Sequence, residues 1–138
     1  RRWEPKLSPT LFRLMHGFRL WFARKEASLV QYEIEGADHV KKAREAGQGI
    51  LITPNHSTHA DPSAMSEAAW KVGCPFYFMA TWNVFDVLGP IGQWFLQKNG
   101  VFSVDREGTD VVALKTARNI LEERDHPLVI FAEGEALV

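Results

Sequence analysis

Apolar positions along the chain switch repeatedly between a three-and-four spacing and short unbroken runs, the signature of helices alternating with buried strands. "SPTLFRLMHGFRLWFARK" opens with Ser8 and Pro9, a helix-start pair, and sets Leu11, Leu14, Met15, Phe18, Trp21 and Phe22 along one helical face. Arg13, His16 and Arg24 fall on the opposite side. "YEIEG" reads as a short strand, "DHVKKAREAG" as a helix closed by Gly47, and "ILIT" as a buried strand. "DPSAMSEAAWKVG" predicts a helix with Asp61 at the N-cap, Pro62 in the first turn and Gly73 just past the end. "PFYFMAT" and "VFSV" are strands on either side of "VFDVLGPIGQWFLQKNG", a helix interrupted at Gly89 and Pro90. "TDVVALKTARNILEER" has the clearest helical period, and "PLVIFAE" is the last strand.

Strands separated by helices of this length predict an α/β fold, with a largely parallel sheet flanked by helices. A chain of 138 residues is long enough for one domain with a substantial core. Two parts are expected: an amphipathic membrane-interface helix over residues 1–28 and the main domain over 29–138. The chain starts without a methionine, and sequence is expected beyond both ends. The apolar strand "PLVIF" would template aggregation if left at a sheet edge, so further cover is expected there.

Charge sharpens the reading of the first helix. The net charge is only -1, which gives no sign of a polybasic nucleic-acid binder. Yet residues 1–25 hold Arg1, Arg2, Lys6, Arg13, Arg19, Arg24 and Lys25 against Glu4 alone. A helix with aromatic and basic sides suits a membrane interface, and it equally suits a helix covering the domain's own sheet. No stretch reaches the roughly 18 apolar residues that a membrane-spanning helix needs. The single cysteine, Cys74, forbids an internal disulfide framework.

In parallel sheets ligands sit beyond the carboxyl ends of the strands. His56 and Asp61 follow "ILIT", Asp105 and Arg106 follow "VFSV", and Glu133 follows "LVIF". The segment "ITPNHSTHAD" admits three chemistries. His56, His59 and Asp61 are competent metal ligands, which would make a metal-dependent hydrolase. Asp61 before Pro62 is also an ordinary helix cap. Finally, His56 with Asp61 behind it is a general base whose tautomer a carboxylate fixes. Without a Gly-x-Ser-x-Gly elbow, such a base must activate a hydroxyl of the substrate.

Asn55-His56-Ser57-Thr58-His59-Ala60-Asp61 resembles the N-H-x-x-x-x-D block of the glycerolipid acyltransferases. Gly100-Val101-Phe102-Ser103-Val104-Asp105-Arg106 is similar to their second block, and Phe131-Ala132-Glu133-Gly134 to their third. The three blocks come in the family's order, and the resemblance covers roughly residues 30 to 138. It implies an acyltransferase in phospholipid biosynthesis or remodelling that moves a fatty acyl group from an acyl-CoA or acyl-carrier-protein thioester to a lysophospholipid or glycerol-phosphate-like acceptor. His56 and Asp61 are then catalytic, and Asn55, Gly100, Arg106, Glu133 and Gly134 bind substrate, with Arg106 on the acceptor's phosphate. Neither a metal nor a cofactor beyond the acyl co-substrate is implied, and no nucleic acid. The expected location is the cytoplasmic face of a membrane, bound peripherally or monotopically. A non-catalytic lipid-binding relative is the remaining alternative.

Departures from the pattern carry information. Glu135 and Ala136 stand where the third block usually continues with Thr and Arg, and Ala132 replaces its proline. Ser103 replaces a more common aromatic or proline. A glutamate repels phosphate, which opens the acceptor to a lysolipid with a different head or to another amphipathic alcohol or amine. "CPFYFMATWNVF" suits either an acyl groove or a buried strand running into the next helix.

Overall fold

A computed structural model describes residues 2–26, 34–54 and 61–131, apart from the side chains of Ala23, Glu26, Asp61 and Pro62. Six helices and four strands follow one another along these residues: α1 Pro9–Leu14, α2 His16–Glu26, α3 Ala37–Glu45, β1 Leu51–Ile52, α4 Asp61–Val72, β2 Tyr77–Thr81, α5 Trp82–Lys98, β3 Val101–Val104, α6 Val111–Glu123 and β4 Leu128–Val129. The strands form one wholly parallel sheet in the order β1-β4-β2-β3. The α/β expectation holds.

Period two along the strands divides the core between the sheet's faces. Phe78 and Val129, with Val101 and Phe131 partly buried, face one way and meet Phe12 of α1, Ala37 of α3 and Ala69 and Val72 of α4. Phe102 and Leu128, with Tyr77, Met79 and Ile130, face the other way under Ala117 and Ile120 of α6. Ala113, Ala117 and Ile120 recur at i, i+4 and i+7, so small residues let α6 sit close to the strands.

Four expectations are corrected. "PLVIF" does not form an edge: β4 lies between β1 and β2, and its apolar run is what a strand covered on both faces requires. The first helix is two, α1 and α2, meeting at Met15. At that junction Arg19 donates from Nη1 to the Phe12 carbonyl at 2.6 Å while its guanidinium lies 3.9 Å from the centre of the Phe12 ring. His16 also does not project outward: its ring stacks on Trp70 of α4 at 3.7 Å and 5°. Phe12, outside the predicted apolar face, is the residue of α1 that enters the core, whereas Leu14 stays exposed. "YEIEG" lies partly outside the described residues, and residues 34–36 lead irregularly into α3.

The outer edge of β3 is covered by the segment that precedes α1. Ser103 donates its N–H to the Trp3 carbonyl at 2.9 Å, and its hydroxyl accepts from the Trp3 N–H at 2.8 Å. A serine therefore suits this buried position, because its Oγ satisfies a backbone donor of the crossing segment. Trp3 then stacks on the fully buried Phe85 at 5.0 Å. Lys6 and Ser8 donate their N–H groups to Gln97 and Lys98 at the end of α5.

The interruption predicted in α5 is present. Gly89 has φ 71 and ψ 178, a region essentially closed to side chains, and Pro90 restarts the helix with its φ already fixed. The result is an elbow between two helical halves.

Candidate functional site

All four strands run the same way, so the chain leaves their carboxyl ends on one side of the sheet. Segments 55–60 and 132–138, which follow β1 and β4 in the chain, lie outside the described residues. Asn55, His56, His59, Glu133 and Gly134 belong to them, as do the departures Ala132, Glu135 and Ala136. Asp61 begins α4, with its side chain outside the description.

What the structure does place is a cavity of about 520 Å³ against the sheet, within the range of small-molecule sites. Its floor is Phe78, Met79, Ala80 and Thr81 of β2, Val101 and Val104 of β3, and Ile130 and Phe131 after β4. Phe22 of α2 and Val84, Phe95 and Leu96 of α5 form apolar walls. In "CPFYFMATWNVF", Phe76 is buried in the core, while Phe78 to Thr81 and Val84 line the cavity.

The polar groups on the wall sort by position along β3. Arg106 comes two residues after the strand, at its carboxyl end, and Asn99 comes two residues before it, at its amino end. Four residues of strand separate these ends by roughly 10 Å. The cavity therefore runs along β2 and β3 from one polar end to the other.

The Arg106 end is braced. Asp110 caps α6 by accepting from the Ala113 N–H at 3.0 Å, and the same carboxylate accepts from the Asp105 N–H at 2.9 Å. Arg2 meets it at 3.0 Å. The Ala113 N–H, the Asp105 N–H and Arg2 together pull its pKa down to about 2 against the opposing effect of burial. Within the loop, Asp105 Oδ1 accepts from the Glu107 N–H at 3.0 Å. Arg106 is exposed and lines the cavity from a loop whose two ends are fastened to one carboxylate.

At the amino end, the Arg19 guanidinium donates to Phe12 O and reaches Asn99 Oδ1 at 3.4 Å. Burial lowers its pKa and the nearby Glu67 opposes that shift. Glu67 of α4 also lines the cavity. Burial raises its carboxyl pKa, with His16 and Arg19 pulling it back. His16 Nδ1 lies 3.6 Å from Glu67 Oε1, inside ion-pair range and beyond a hydrogen bond. Ser63 and Ser66 complete the polar lining from α4.

Gly100 sits at this amino end as well, away from Arg106. Its φ is +84, and a Cβ would lie 2.8 Å from Phe76 O and 3.1 Å from Leu7 Cδ1. Turn geometry and close packing are enough to require glycine here. Arg19, Glu67 and Asn99 were not legible as site residues. The one signal for Arg19 was its seven-residue spacing from Phe12, two helical turns on one face.

A family model described as Acyltransferase matches residues 31–137. The 1-acyl-sn-glycerol-3-phosphate acyltransferase of Streptococcus pneumoniae (strain ATCC BAA-255 / R6) is 34% identical over 85 residues, 62% of this chain and 30% of that protein. The chain thus spans about 30% of the length of this curated relative. No solved structure matches it.

Proposed function

Because the chain belongs to the acyltransferase family, we propose that it moves a fatty acyl group from an acyl-CoA or acyl-carrier-protein thioester to the hydroxyl of a lysophospholipid or glycerol-phosphate-like acceptor. The observation that carries this reading is the apolar-walled cavity of about 520 Å³ that reaches Arg106 beyond the carboxyl end of β3. Apolar walls suit an acyl chain, and a guanidinium at the mouth suits an acceptor's phosphate.

In this mechanism His56 takes the proton of the acceptor hydroxyl, with Asp61 holding its imidazole in the required tautomer. The acceptor oxygen bonds to the thioester carbonyl carbon, and the C–S bond of the resulting tetrahedral intermediate breaks. The departing thiolate takes the proton back from the imidazolium, leaving an ester and a free thiol. Arg106 holds the acceptor, assisted by Asn55, Glu133 and Gly134. The site works at a membrane surface, where both lipids reside. Among the described residues no helix is long and apolar enough to cross a membrane, and α2 lies instead in the plane of the interface.

The test is thiol release from acyl-CoA and acyl-carrier-protein donors with a panel of lysolipid acceptors. His56→Ala is expected to abolish release while its circular dichroism matches wild type. Arg106→Ala is expected to raise KM for phosphate-bearing acceptors at least tenfold and to spare phosphate-free ones. Full activity in His56→Ala removes the proposed base, and an equal loss on both acceptor types removes the phosphate role.

A further inference from the structure

The most exposed large apolar side chains in the described structure cluster at the elbow of α5, where Val87 is 82% and Ile91 84% exposed, with Leu88 beside them. Elbows in water are normally polar, yet "VLGPI" between Asp86 and Gly92 carries no charge. The bend itself is fixed by the positive φ of Gly89 and the ring of Pro90, so these side chains are held outward on a rigid corner. Single exposed leucines are ordinary, whereas a contiguous apolar tip marks a surface that meets something.

The tip is continuous with α2. Phe18 of α2 packs edge-on against Phe95 of α5 at 5.5 Å. Phe22 and Val84, both partly exposed, wall the same cavity from the two helices. Cations border this apolar face: α2 carries Arg24 and Lys25 in its last turn, and the Lys25 ammonium lies 5.6 Å from the centre of the Trp21 ring. Glu26 and Asp86 are the acids adjoining in sequence. An apolar face with a cationic border complements acyl chains beneath anionic headgroups.

We propose that the α5 elbow is a second membrane-inserting element, dipping Val87, Leu88 and Ile91 into an anionic lipid bilayer beside α2. This deepens the membrane-surface reading above and rests on it. With both helices inserted, the cavity edge formed by Phe22 and Val84 faces the acyl region of the bilayer, and a lipid enters sideways without crossing water.

The test places an environment-sensitive fluorophore at Ile91→Cys, and in a second protein at Arg118→Cys, which is exposed on α6 over the other sheet face. Cys74 is buried and burial pushes its thiol pKa up, which directs labelling to the new site. With phosphatidylglycerol–phosphatidylcholine vesicles, the Ile91 label is expected to shift blue and be quenched by brominated acyl chains, while the Arg118 label is not. In unlabelled protein, Ile91→Glu is expected to raise the lipid concentration for half-maximal vesicle binding about tenfold or more. An Ile91 label that stays in water while the protein sediments with vesicles overturns the proposal. So does a vesicle-free blue shift that grows with protein concentration, which assigns the face to a second copy of the chain. No acyl donor or acceptor is present, so a protein that inserts its elbow but releases no thiol in the enzymatic assay refutes the acyltransferase reading alone.

Discussion

Arg2 Nη2 lies 3.0 Å from Asp110 Oδ1, so the segment crossing the edge of β3 also fastens the loop that carries Arg106. Asp110→Ala removes the helix cap, the bond to the Asp105 N–H and the partner of Arg2 together. A stability loss of about 1 kcal/mol is expected from the cap alone, read as a lower urea midpoint at unchanged slope. Since the loop positions Arg106, the proposed phosphate role predicts a higher KM for a phosphate-bearing acceptor in this variant. Because the folded pKa of Asp110 is depressed to about 2, its contribution is complete above its ordinary value near 3.8 and fades as pH falls through about 2. Melting curves of wild type and Asp110→Ala should therefore converge across that window.

Gly100→Ala puts a methyl group 2.8 Å from a backbone carbonyl at a φ of +84. Strain of this kind costs about 1–3 kcal/mol. Thermal denaturation should show the loss, and an unchanged melting temperature contradicts the packing explanation for this glycine.

Ala80 follows Phe78 by two positions on β2 and so shares its face, on the wall of the cavity. Ala80→Phe fills space rather than crowding a packed core, so stability is expected to hold. Activity with long-chain donors should fall about tenfold relative to short-chain donors. Equal loss on all chain lengths separates the acyl chain from this cavity.

His126 provides a pH signature of the fold. Burial, followed by Arg44, lowers its pKa, against Asp125 and a hydrogen bond to the Pro75 carbonyl. The unfolded chain therefore binds the proton more readily, so stability is full above the ordinary histidine value near 6.5 and declines as pH falls toward the lower folded value. The slope from this one site cannot exceed about 1.4 kcal/mol per pH unit. Urea midpoints between pH 7.5 and 5 should fall more steeply for wild type than for His126→Leu.

Much of the fold was legible because it rests on local chemistry. Ser8 with Pro9, Gly89 with Pro90, and the helical period of "TDVVALKTARNILEER" each announce their role within a few residues. Strand order was not legible: the apolar run of β4 shows that both its faces are covered, and says nothing of which strands flank it. The same limit hid the site's amino end. Arg19 reads as one more basic residue of an amphipathic helix, and only packing against Phe12, Asn99 and Glu67 gives it a buried environment. His16 shows the converse error, since a polar ring counted as outward found a flat partner in Trp70.

The place of β4 also bears on how the chain acquires its structure. Among the described strands, β1 bonds only to β4, pairing Leu51 with Leu128. Among the described residues its backbone groups have no sheet partner until the intervening chain has been synthesised, and closing so long a loop is slow. On the ribosome, β2, α5 and β3 can assemble as a neighbouring pair with its crossover, while β1 waits. A nascent chain halted before residue 128 exposes a growing apolar edge, and so is the form of this protein that most needs a chaperone.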